Sequence, residues 1–389
     1  MAFDIMTTDI GRVDYSGGNS YGKSNASRAD LDKYKKDNKG KDLAREWTYQ
    51  EVWDEVLYSG NVLPKTLTSE HRVVIVDADG ICYRTAAACE TRSVRAVVDG
   101  IEVEFPTRTL LKEYCSDVDV EYKDLNITDH HKNENIANCL STLKKTVRNL
   151  HKDLDATYVV FLLGGTGNFR LDLPLPSQYK SQRKVLRRPD YLKDCRDFLN
   201  KHYCSFIISG HEADDLTEAL SAHIINHTDA WGCGVSMDKD YLGSIPKNRY
   251  FHLVNRTLHE LKGGLGYIKL VKGKLKGEGL MFSIAQTLLF DRGDNYIMNS
   301  HYLKRYGESS FYKDFHQYKT EKEFLEAVLV KLDELLPEIT TYKDWQGIYR
   351  SYTRLGLVEL YFSCAYMVMS PDDTTTFKSL LDKYEVKYE

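Results

Sequence analysis

The sequence has no CxxC pair, no apolar run near the roughly 18 residues needed to cross a bilayer, no GxxxxGK[ST] loop and no internal repeat. Those gaps exclude a membrane-spanning helix and a P-loop nucleotide site. The GGTGNF loop carries Arg170 where a dinucleotide fingerprint requires its third glycine, so nucleotide-cofactor binding is also set aside. Net basic charge is missing as well: 53 Lys and Arg against 57 Asp and Glu leave −4, so any grip on nucleic acid has to be local. The opening MAFDIMTTDI holds two aspartates where a secretory signal needs positive charge, which leads to an expectation of cytoplasmic placement, in the host cytoplasm if the chain is viral, with no membrane partner. The eight cysteines read as reduced, mostly buried thiols.

What is present is a chain of 389 residues, 42% apolar, enough for two domains. Residues 11–42 are rich in Gly, Ser, Asn, Lys and Asp and read as a flexible arm. Thr48 and Glu51 form a capping box before Val52, Trp53, Val56 and Leu57, which predicts a short amphipathic helix, so 1–70 is taken as arm plus helix. Four short β-branched runs follow, VVIV (73–76), YVVFLL (158–163), FII (206–208) and GVSM (234–237), separated by helical stretches at 136–154, 191–203 and 212–225. Strands buried on both faces and alternating with helices predict a mostly parallel α/β sheet over 71–280. Residues 94–105 alternate around Asp99-Gly100 as an inserted hairpin, and 261–277 reads as a second, basic one. Residues 281–389 are expected to form a helical, all-α domain.

The chemistry lies in where the acids fall. Asp77 ends the first strand, Glu212, Asp214 and Asp215 follow the third, and Asp238 and Asp240 follow the fourth. In an open α/β sheet those positions share one edge. Asp291 and Asp294 in FDRGDN are spaced for one face of a helical turn. Eight like charges that close require cations, and hard oxygen donors suit two Mg²⁺ or Mn²⁺ ions working on a phosphodiester. Each piece has a plainer reading: a capping box from Ser209 to Glu212, turn residues at Asp238 and Asp240, a solvated helix start at Asp291 and Asp294. From Arg170 to Arg196, eight bases (170, 180, 183, 184, 187, 188, 193, 196) face three acids (172, 190, 194), a local +5 suited to a polyanion, with Tyr179 inside it as a base-stacking candidate; Arg170, Lys184 and Arg187 are taken as substrate contacts.

In this order and at these intervals the motifs resemble those of the 5′→3′ exonuclease and flap endonuclease family, especially its bacteriophage members, which have a PIN-like α/β core. The similarity runs from about Arg72 to Gly307 through the Asp77 strand, GNFR, YKSQR (179–183), EADD (212–215), MDKDYLGSIP (237–246) and DRGDN (291–295). The resemblance implies that all eight acids hold the metals directly or through water, with Asp77 and Asp238 central to catalysis. It implies that Lys180 and Arg183 clamp the scissile phosphate, that Tyr179 lies near the flanking base, and that 281–389 contacts DNA. The implied substrate is DNA with a 5′ end, flap or junction, or an RNA/DNA hybrid. Two positions depart: Gly165 stands where many relatives carry an aspartate, and YIMNSHYLKRYG is a poor match to the Gly-rich duplex-binding motif. Two rival readings are a haloacid-dehalogenase-like phosphatase, with Asp77 as nucleophile in VVIVDADG, and a nucleic-acid-binding relative without catalysis.

Overall fold

The computed structural model describes residues 6–9, 12–14 and 45–388; the side chains of 6–14, 184 and 185 are not described. The expected arm over 11–42 lies outside the described residues apart from 12–14, which pair with Met6–Asp9 as a small antiparallel ribbon.

The chain divides into two compact units, and the boundaries expected at 70/71 and 280/281 both fall inside the first. That unit (Met1–Asp79, Leu150–Leu186 and Leu199–Glu389) is built on a seven-stranded sheet in the order Thr257–Leu261, Asn248–His252, Trp231–Ser236, Arg72–Asp77, Tyr158–Gly164, Ser205–Ser209, Glu46–Thr48. Every pairing is parallel except the edge pair of Asn248–His252 with Thr257–Leu261. Val73 to Val76 and Val159 to Leu163 are fully buried, as strands covered on both faces should be, and each such side chain contributes about 1.5–3 kcal/mol of burial. The expected capping box is present: Thr48 accepts from the Glu51 N–H and the Glu51 carboxylate accepts from the Thr48 N–H, opening the Tyr49–Leu57 helix.

Residues beyond 281 are not all helical. The Glu308–Phe315, Glu321–Leu335, Arg354–Ala365 and Phe377–Lys383 helices are accompanied by an antiparallel hairpin, Ile339–Lys343 with Tyr349–Thr353. This segment belongs with the sheet because one apolar cluster joins Leu175 and Tyr179 to Met281, Phe324, Tyr361 and Phe377. Tyr267–Val271 and Lys274–Glu278 form the expected basic hairpin.

The second unit (Gly80–Asn149 and Arg187–Phe198) contains a three-stranded antiparallel sheet, Ile101–Phe105, Glu90–Val98, Thr128–Asn133. The first pair turns at Asp99 and Gly100, both at positive φ, as a two-residue hairpin turn demands. Its core gathers Val94, Ala96, Val98, Leu111 and Cys115. All eight cysteines are free and buried.

Candidate metal centre

Parallel strands deliver their carboxyl ends to one edge of the first unit's sheet, and the acids follow those ends directly. Asp77 is the last residue of its strand, and its Oδ2 accepts a 3.0 Å hydrogen bond from Ser236 Oγ at the end of the neighbouring strand. Burial pushes its carboxyl up to about 6, Ser236 opposes this, and the Asp238 charge adds to it. Glu212 precedes the Ala213–His227 helix, whose first turn carries Asp214 and Asp215, where the partial positive charge of a helix start favours anions. Asp214 is raised well above the usual carboxylate range by burial first and then by Glu212, with Asp77 also acting on it. Asp238 and Asp240 occupy the turn after Trp231–Ser236. There Asp238 N–H donates to Ser236 Oγ at 3.1 Å and Asp240 N–H to Asp238 Oδ1 at 3.2 Å, so the turn reading holds alongside the cluster. Asp240 is raised by burial and then by Asp238, with Asp291 and Asp294 contributing.

Asp291 and Asp294 do come together, but not on a helix. Asp291 Oδ1 accepts from Gly293 N–H (2.6 Å) and Asp294 N–H (3.2 Å), closing a tight turn pinned by backbone bonds between Asp291 and Tyr296. A carboxylate that satisfies its own following amides stabilises a turn in preference to a helix start. Burial raises Asp294, and Glu212 adds to this against the pull of Lys180.

Two lysines sit among the acids. Lys180, in left-handed backbone geometry, pairs with Glu212 and lies 3.5 Å from Asp294 Oδ2. Lys239 reaches Asp291 Oδ2 at 3.1 Å. Burial opposes both charges, yet the surrounding carboxylates prevail and raise both ammonium groups. Arg183 Nη2 donates to Asp294 Oδ1 at 2.7 Å while half of its side chain stays exposed.

Four expectations are corrected. Arg170 is not a surface contact: it is 1% exposed, forms a bidentate pair with Asp215 (2.7 and 2.8 Å) and also bonds the Ser363 and Tyr366 carbonyls. Asp215 is therefore not a ligand with free oxygens. Both are engaged by Arg170, and Val368 N–H adds a third bond, because a fully buried carboxylate needs a partner cation and saturated acceptors. Tyr179 is no stacking platform: it is 1% exposed, and its hydroxyl donates to Asp294 Oδ2 at 2.5 Å and lies 3.1 Å from Glu212 Oε2. Arg187 belongs to the second unit and is paired with Glu90 (2.7 Å) and Asp190 (2.6 Å), while the Lys184 side chain lies outside the described residues. The basic stretch is thus largely occupied in holding its own structure.

Residues the sequence reading missed are the supports: Ser236, Lys239, Asn168, whose Nδ2 donates to Glu212 Oε1 at 2.8 Å, and Gln286, which donates to Asp240. Lys239 carried a readable signal, as the only base in an otherwise acidic DKD. Asn168 and Gln286 carried none.

Among the described residues no three side chains are drawn tightly enough to enclose an ion as they stand. The donor chemistry nonetheless fits hard divalent cations. The donors are all carboxylate oxygens, and four of the acids are held above their ordinary range by burial and mutual repulsion, a cost that cations relieve.

No family model and no curated protein matches the chain. Solved structures similar to it include the following three. One is a bacteriophage T5 flap endonuclease variant in a pseudo-enzyme–product complex with DNA and metal ions (18% identity, TM-score 0.44, 81% of this chain and 96% of that one). Another is the T5 protein co-crystallised with metal ions (16%, 0.43, 81% and 97%). The third is a mutant T5 5′-exonuclease (16%, 0.41, 82% and 94%).

Proposed function

We propose that this protein is a divalent-metal-dependent 5′-nuclease that hydrolyses phosphodiester bonds in DNA, or in RNA paired to DNA, near a 5′ end, flap or single-strand/duplex junction, with two Mg²⁺ or Mn²⁺ ions as cofactor. What supports this reading is that Asp77, Glu212, Asp214, Asp238 and Asp240 follow strand ends of one mostly parallel sheet and that members of this group act electrostatically on one another and with Asp291 and Asp294, burial and like charge raising four of the seven. Divalent ions bound there supply an activated water and offset the charge that builds on the phosphate in an in-line displacement.

The chain's own part is positioning. Asn168, Tyr179 and Ser236 fix the Glu212, Asp294 and Asp77 carboxylates in place. Lys180 and Arg183 converge on Asp294 from the same short segment, so a phosphate seated beside that aspartate meets an ammonium and a planar guanidinium together. Arg170 acts behind the site: by neutralising Asp215 it keeps the start of the Ala213–His227 helix, and with it Glu212 and Asp214, in register. We assign duplex contact to 281–389.

The test is product mapping on 5′-labelled flap, nicked and blunt DNA and on an RNA/DNA hybrid, with Mg²⁺ and with Mn²⁺, for wild type and Asp238→Ala. Cutting by wild type and at least a hundredfold loss in D238A with retained binding is expected. Binding without cleavage in either metal would favour the non-catalytic reading instead, and full activity in D238A would remove that residue from the centre.

A further inference from the structure

Lys239 sits where its sequence neighbours alone would not send it. It lies between Asp238 and Asp240, yet its ammonium extends to Asp291, 52 residues further on, at 3.1 Å. Asp291 Oδ1 is already committed to the Gly293 and Asp294 amides, so Oδ2 is the oxygen this aspartate has left for a cation, and Lys239 covers it. The Asp240, Asp291 and Asp238 charges all act on the ammonium. The carboxylate end is nearly closed to solvent (10% exposed) while the lysine side chain is half exposed. The ammonium can therefore leave for water without unpacking anything, whereas the acid cannot follow it.

We propose that Lys239 is a resident counter-ion for the Asp238, Asp240 and Asp291 side of the cluster, and that uptake of a divalent ion on that side requires its ammonium to swing out. The proposal rests on the metal reading above. It makes Lys239 a positioning residue that sets the affinity of the ion taken up on its own side of the cluster, as distinct from the Glu212 side, where Lys180 is the resident cation. A cation tethered to the chain also explains how so many buried acids are tolerated in the metal-free fold.

The experiment is calorimetric titration of the full chain with Mn²⁺ in metal-free buffer, together with thermal unfolding in EDTA, for wild type, Lys239→Met and Lys239→Arg. Methionine keeps the length of the stem and removes the charge; arginine keeps the charge. The expected result is that K239M binds one Mn²⁺ at least tenfold more tightly, melts earlier than wild type in EDTA, and melts with wild type once Mn²⁺ is saturating, while K239R behaves like wild type. If all three take up Mn²⁺ with affinities within twofold, or K239M binds more weakly, Lys239 is not a competitor and the proposal falls while the metal reading stands. If none takes up Mn²⁺, both fall together.

Discussion

Replacing Asp77 by Asn should make the metal-free protein more stable, which is the opposite of what most changes at a buried polar residue do. In the native fold burial lifts the Asp77 carboxyl from 3.8 to about 6, with the Asp238 charge assisting. Below pH ~4 the group is protonated in both folded and unfolded chains and costs nothing. Between about 4 and 6 the unfolded chain has released its proton and the folded one still holds it, so each rise in pH lowers stability; above 6 both are ionised and the loss is constant. Two units at about 1.4 kcal/mol each give a penalty near 3 kcal/mol at pH 7.5. Asparagine lacks that penalty and can still accept the Ser236 hydroxyl. Urea unfolding in EDTA should therefore show D77N ahead by up to about 3 kcal/mol at pH 7.5, shrinking toward zero near pH 4. His151, held down to about 4 by burial, erodes both proteins alike as the pH falls below 6.5, so the difference between them is the quantity to follow. Adding Mg²⁺ or Mn²⁺ should narrow or reverse the difference, because wild type keeps one more carboxylate and gains more binding energy from the ions than D77N does. A D77N protein no more stable than wild type at pH 7.5 in EDTA would refute the account of an electrostatically strained cluster.

Arg170→Met should cost about 3–5 kcal/mol in a denaturant titration, because it strands Asp215 as a buried, unpaired charge, and R170M/D215N should recover a large part of that loss. Gly165→Asp should lower stability by about 1–3 kcal/mol through overpacking, measured the same way, and should not tighten Mn²⁺ binding; a stable variant with higher metal affinity would overturn the steric argument.

The sheet was legible because its strands are short, β-branched and bounded by Gly and Asp: each of the four runs lies within or largely overlaps an observed strand, and the 136–154 helix has the expected limits. The edge-clustered acids were legible for the same reason, since parallel topology alone brings strand ends together. Partnership across long sequence distance was not legible. Arg170 and Asp215 are 45 residues apart, and a base in a basic stretch gives no sign that it will be buried on an acid. Spacing of three between Asp291 and Asp294 fits a helical turn and a carboxylate-capped turn equally; Asn295 at positive φ ends any helix there. The 339–353 hairpin did carry a signal, β-branched and aromatic residues around a Gly347 at positive φ, but it was overshadowed by the apolar helices on either side.

The glycine at the end of the second strand follows from the local packing. The Gly165 N–H donates to the Ile208 carbonyl at 2.7 Å, and a Cβ on residue 165 would lie 2.7 Å from that same oxygen and 2.9 Å from the Glu46 carboxyl carbon. Backbone stands in the way, so no rotamer change makes room for a side chain there. The two glycines are instead flanked by carboxylates from other elements: Asp79 Oδ2 accepts the Gly164 N–H at 2.8 Å, and Glu46 Oε2 accepts the Thr166 N–H and hydroxyl at 3.2 and 2.6 Å. The loop held in this way carries Asn168 to Glu212 and Arg170 to Asp215. What an acid at 165 would contribute as charge, the glycine pair contributes as close strand approach and a fixed loop, so its absence bears on how the remaining carboxylates are aimed more than on whether negative charge is present.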